Sequence, residues 1–93
     1  MFVSAEVINK RNIEFKYRTE MGFENRVVKL INKEFDFPQG REEFYINYEE
    51  LLGELLSEEQ VKKIIKEIVK ELEISRFNVF VDFENHSLTI TMP

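Results

Sequence analysis

Polar and apolar residues alternate near the start of the chain. Val3, Ala5 and Val7 alternate with Ser4 and Glu6, and Ile13, Phe15 and Tyr17 alternate with Glu14, Lys16 and Arg18. A period of two predicts two half-buried strands. A three-residue loop, Lys10-Arg11-Asn12, joins them if Asn12 takes the left-handed conformation. That register pairs Val7 with Phe15 and Ala5 with Tyr17 on one face, and Glu6 with Lys16 on the other. Met21 to Asn25 reads as a turn. Residues 26–37 fit two periods, because Val27, Ile31 and Phe35 recur every four residues but also share a strand face. Paired β-branched residues and the closing Phe35-Asp36-Phe37 favour strand, with an irregularity near Asn32. Pro38, Gln39 and Gly40 suit a type I turn, and Glu43 to Ile46 returns as a short strand.

Two helix starts follow. Asn47 with Glu50, and Ser57 with Gln60, have the spacing of capping boxes, and Ile46 with Leu51 and Leu56 with Val61 have that of hydrophobic staples. The first helix is predicted to be short and to bury Leu51, Leu52, Leu55 and Leu56 despite Gly53. The second runs from about Glu58 to Glu73 on a stripe of Val61, Ile64, Ile65, Ile68, Val69 and Leu72. A terminal hairpin closes the chain. It pairs Phe83 with Leu88, Val81 with Ile90 and Val79 with Met92 through a turn at Asn85 and His86. The expected fold is α+β in one domain over residues 1–93. Its antiparallel sheet has five or six strands, built from an N-terminal β-meander and a C-terminal hairpin. The two consecutive helices pack on one face.

Composition narrows the chemistry. Ninety-three residues suffice for one core, and nine Phe and three Tyr supply much of its area. The chain has no Cys, which removes disulfides, thiolate nucleophiles and thiolate metal sites. With no basic-then-apolar leader and no long apolar run, a cytoplasmic location is expected. The net charge of −5 is unevenly spread: residues 34–60 carry Arg41 alone against nine acids. The commonplace explanation is solvated loops and helix faces. The sharper one is an acidic surface of Glu42, Glu43, Glu49, Glu50, Glu54, Glu58 and Glu59 that steers a basic partner.

No catalytic constellation stands out. The three glycines are scattered, and Ser87 beside His86 would point to the opposite strand face. Asp82, Glu84 and His86 share a face and are metal-capable, but a hairpin tip offers no supporting shell of ligands. Lys62, Lys66 and Lys70 line one helix face, where interleaved glutamates read as a salt-bridged surface. Phe80-Val81-Asp82-Phe83 matches the end of an RNA-recognition strand. Phe77 replaces that motif's Gly, however, and Asn78 its first stacking aromatic. Phe80 lies opposite the apolar face of its strand, so it is either covered or a contact residue. Lys10, Arg11, Lys16 and Arg18, at the tip and outer face of the first hairpin, are the better nucleic-acid candidates, although the net charge disfavours a dedicated binder.

These features predict no enzyme, no cofactor and no metal. The leading expectation is a protein-binding module presenting its acidic surface to a basic partner. An accessory protein of a phage or mobile element, inhibiting a nucleic-acid enzyme, would have this character. The alternatives are a homodimer through edge strands, with Thr89 and Thr91 on an unblunted edge, and a nucleic-acid accessory protein using the basic hairpin.

Overall fold

The computed structural model describes residues 2–53 and 55–93. The chain begins with one long helix, α1 (Ala5–Asp36), followed by strand β1 (Glu43–Asn47) and a single 3-10 turn (Glu49–Leu51). Helix α2 (Glu58–Ile74) and strands β2 (Asn78–Asp82) and β3 (Ser87–Thr91) complete it. The class is α+β, but the sheet has three antiparallel strands in the order β1-β3-β2, not five or six.

The largest correction is the N-terminal β-meander: its first three expected strands fall in one helix, α1, and only its last, from Glu43, is a strand. Ser4 caps α1 by accepting from the Val7 amide at 3.4 Å, and Glu6 and Lys33 sit at the ends that suit the helix dipole. No proline interrupts the 32 residues. Phe23, Val27 and Ile31, four residues apart, are completely or almost completely buried. Burial along that stripe rewards a helix over residues 26–37. Once nucleated, the helix extends at little further cost through residues that stay mostly exposed. The alternation of Val3 to Tyr17 covers only three apolar positions per segment, too few to compete without a facing sheet.

Arg41 turns the chain from α1 into β1. Its guanidinium donates to the carbonyls of Glu34, Phe37 and Pro38, pairs with the Glu34 carboxylate at 2.9 Å, and lies 4.8 Å from the centre of the Phe44 ring. It thereby supplies a donor to the Phe37 carbonyl at the helix end and a second donor to those of Glu34 and Pro38, which also accept from the Phe37 and Arg41 amides. The turn lies one residue later than predicted. The Arg41 amide donates to Pro38, with Gln39 and Gly40 both at positive φ, so it is not type I.

The first predicted capping box does not form a helix. Asn47 Oδ1 accepts from the Glu49 amide at 2.9 Å, two residues on, and only one 3-10 turn follows. That short-range bond competes with helix continuation. The second capping box is complete, with Ser57 accepting from the Gln60 amide and Gln60 accepting from the Ser57 amide. The Gln60 side chain also donates to Glu20 at 2.9 Å, which ties the start of α2 to α1.

The C-terminal hairpin is present in a register two residues from the predicted one: Val81 pairs with Leu88 and Val79 with Ile90. A shift of two preserves the faces. The four-residue turn Phe83–His86 sets it, with Asp82 accepting from the amide and side chain of Asn85. Strand β3 is central, so Thr89 and Thr91 are not on an edge; β1 and β2 are the edges. Both helices pack on one sheet face, around Phe23, Val27, Phe44, Ile46, Ile65, Leu88 and Ile90.

Candidate functional site

Burial on α1 begins only at Thr19. The helix is about 48 Å long at 1.5 Å per residue, while the molecule measures 63 × 25 × 24 Å. Its N-terminal half is therefore an arm projecting from the body. Val3, Val7, Ile8, Ile13, Phe15, Tyr17 and Met21 on this arm are all exposed, Tyr17 by 62% and Ile13 by 68%. Single exposed apolar residues are ordinary, but Val3 before the Ser4 cap and six more from Val7 to Met21 on α1 form an extended apolar surface.

These residues fall on different sides. Val3, Val7, Tyr17 and Met21 belong to one stripe with Lys10 and Glu14, in steps of four and three. Phe15, by contrast, lines a shallow groove with Asn12, Lys16 and Thr19 against Leu55, Leu56 and Gln60 of the body. The first stripe lies on the other side of the helix, clear of the body. Its spacing was available in the sequence, since positions 3, 7, 10, 14, 17 and 21 follow the 3.5-residue repeat of a coiled-coil seam.

The four cations assigned to a basic hairpin lie on this helix, not on a hairpin. Arg11 and Arg18, seven residues apart, share a side. Lys10 is on the outer stripe and Lys16 beside the groove, so the four do not form the single outward face predicted. The predicted acidic residues are divided as well. Glu42 and Glu43 stand at one end of β1, and Glu49 and Glu50 beyond the other, with a strand about 13 Å long between. Glu58 and Glu59 occupy the first turn of α2, where the helix dipole favours carboxylates. Glu54 lies outside the described residues. Glu42, Glu43, Glu49, Glu50, Glu58 and Glu59 are all exposed.

A second feature lies where β1 ends and β3 begins. Tyr48, Leu52, Leu56, Glu58, Val61, Lys62, Phe83 and His86 line a cleft of about 110 Å³. The Tyr48 amide donates to the His86 carbonyl at 2.8 Å, and the two rings lie 5.8 Å apart. Phe23 meets the Tyr48 ring edge-on, with centroids 6.1 Å apart. Tyr48 is completely buried, and its hydroxyl has no hydrogen-bond partner among the described residues. Burial, and after it the Asp82 carboxylate, push its pKa above the ordinary 10.0. Asp82 is held below the usual carboxylate value by its bonds to Asn85. That carboxylate is thus engaged in closing the turn, and no cluster of three metal-capable side chains occurs among the described residues.

No protein-family model, curated protein or solved structure matches the chain. The reading of function therefore rests on the molecule alone. The open sheet face answers the question of Phe80: Tyr45, Thr89 and Phe80 form one row across the three strands, and both aromatics are exposed. Glu43 and Asp82 flank that row, with no cation among the outward residues of the strands. A phosphate backbone would find no counter-charge there. No helix is long and apolar enough to cross a membrane among the described residues.

Proposed function

We propose that the chain is a non-enzymatic protein-binding module whose binding element is the N-terminal arm of α1. The observation carrying this reading is the exposure of Val3, Val7, Ile8, Ile13, Phe15, Tyr17 and Met21 on an arm that meets its own body along the shallow groove beside Phe15. A helix presenting such residues is the form in which many proteins are recognised, by a groove or by another helix. The body supports the arm: Gln60 holds Glu20, and Phe23, Val27 and Ile31 anchor the following turns. The acidic residues carry the reading less well, because Glu58 and Glu59 have a structural role at the start of α2 and Glu42, Glu43, Glu49 and Glu50 are split between the ends of β1.

The test is photo-crosslinking in cells, with a photoreactive residue placed at Ile13, at Tyr17, or at Tyr45 on the sheet as a control. Protein adducts from Ile13 and Tyr17 are expected. Adducts from Tyr45 alone, or from no position, would overturn the arm as the binding element.

A further inference from the structure

We infer that the partner of the arm is the arm of a second copy of this chain, packed antiparallel about a two-fold axis that crosses the seam at the level of residue 12. The inference rests on the proposed role of the arm and names its occupant.

The outer stripe consists of Val7, Lys10, Glu14, Tyr17 and Met21 on α1, continued by Val3 just before the Ser4 cap, separated by four, three, four, three and four residues. This sequence of steps is the same read in either direction. Two such stripes can therefore be laid antiparallel with every seam position facing a seam position, as antiparallel knobs-into-holes packing requires. Centred on Asn12, Val3 meets the partner's Met21, Val7 meets the partner's Tyr17, and Lys10 meets the partner's Glu14. By symmetry each layer occurs twice. Every layer is then either two apolar side chains or two opposite charges. Sliding by one heptad in either direction destroys this match, placing Val7 against the partner's Lys10, or Tyr17 against the partner's Glu14. Apolar residues at the ends and one lysine with one glutamate at the centre thus select a single register. A buried polar pair sets register in this way at some cost in stability.

The surroundings permit the pairing. The stripe faces away from the groove lined by Asn12, Phe15, Lys16 and Thr19, so each body lies on the outer side of the helix pair. Beside the seam, Ile13 lies close to its own counterpart across the axis, adding apolar contact. Arg11 lies near its counterpart on the other flank, and Glu6 near the partner's Glu20; both oppose association. The paired length is about 27 Å, and the contact strip is no wider than the helix, about 10–12 Å. That area, roughly 300 Å² of strip per copy, is below the ~800 Å² per partner of a standard interface. The expected dimer is accordingly weak and depends on concentration.

The chain has no native cysteine, so single cysteines report neighbours without interference. Full-length Val7→Cys and Tyr17→Cys proteins would be mixed in glutathione redox buffer and their covalent dimers resolved by mass spectrometry. A Val7→Cys/Tyr17→Cys disulfide is expected. Val7→Cys with itself should not react, because the two sites lie about ten residues, or 15 Å, apart along the pair. Sedimentation equilibrium of the cysteine-free protein should show a monomer–dimer equilibrium. Tyr17→Glu should weaken it at least tenfold without changing thermal unfolding of the dilute monomer, since Tyr17 touches no core. A Val7→Cys homodimer would mean parallel pairing and overturn the inference. So would a strict monomer at every concentration. If the arm cross-links to a different protein while the chain stays monomeric, self-pairing falls and the arm as binding element stands. If it cross-links to nothing, both fall.

Discussion

Replacing Tyr48 by Phe should stabilise the protein. The ring would keep its edge-on contact with Phe23 and its place beside His86, so no cavity opens. The only atom removed is a hydroxyl oxygen that is buried without a partner. Burying such a group unsatisfied costs about 1–3 kcal/mol. Taking the lower end, to allow for slight relaxation around the cleft, the gain is about 1 kcal/mol, or ~4–8 °C in Tm for a domain of this size. Urea denaturation at neutral pH measures it, as a higher midpoint with an unchanged slope. The alkaline limb supplies a second reading. The phenol pKa is raised in the folded state by burial first and Asp82 second. The neutral phenol therefore contributes stability that is complete below the unfolded value near 10 and is lost as pH rises through the folded value. Wild-type stability should fall above pH 10.0, and the Phe variant should lose this part of the slope. A loss of 1 kcal/mol or more in the variant at neutral pH would refute the reasoning. It would mean that the hydroxyl binds something in the cleft, such as an ordered water or a small ligand.

Other consequences follow from the same structure. Phe23→Ala should cost about 3–5 kcal/mol, whereas Phe15→Ala, on the exposed arm, should cost less than about 1 kcal/mol; paired chemical denaturations compare them. Ser57→Ala removes the acceptor of a complete capping box and should cost about 1 kcal/mol, seen in the same assay. Arg41→Ala should cost about 1 kcal/mol, mostly from the Phe37 carbonyl losing its donor, because the exposed pair with Glu34 is worth little. Its effect should persist at high salt, which separates the two contributions. Asp82 has a depressed pKa, so its contribution is present above the ordinary 3.8 and lost as pH falls through the folded value. Asp82→Asn should make the acid limb of the stability profile shallower. Amide exchange should be fast over residues 5–18 of the dilute monomer and slow at Phe23, Val27 and Ile31.

Helix α2, strand β1 and the pairing of β2 with β3 could be read directly from residue order. Ser57 and Gln60 satisfy each other's backbone within one turn, and the stripe from Val61 to Leu72 leaves a single face to bury, so no distant contact is needed to choose helix. The alternation in β2 and β3 likewise specifies which faces meet. It leaves the register free by steps of two, and the bond from Asn85 to Asp82 removes that freedom. The seam along the arm was present in the spacing from Val3 to Met21, but two periods competed there. Residues 3–18 satisfy a strand pattern over short segments and a helical one over the whole length, and each conformation meets its own local preferences. What resolves them is remote. Phe23, Val27 and Ile31 must lie on one side of α1 to reach the core against α2 and the sheet, and a helix nucleated there extends through everything before it back to the Ser4 cap. The exposure of the arm and the unpartnered hydroxyl of Tyr48 depend on what the rest of the chain leaves uncovered. Local periodicity cannot express that, because it records the faces a segment could bury and not whether anything arrives to cover them.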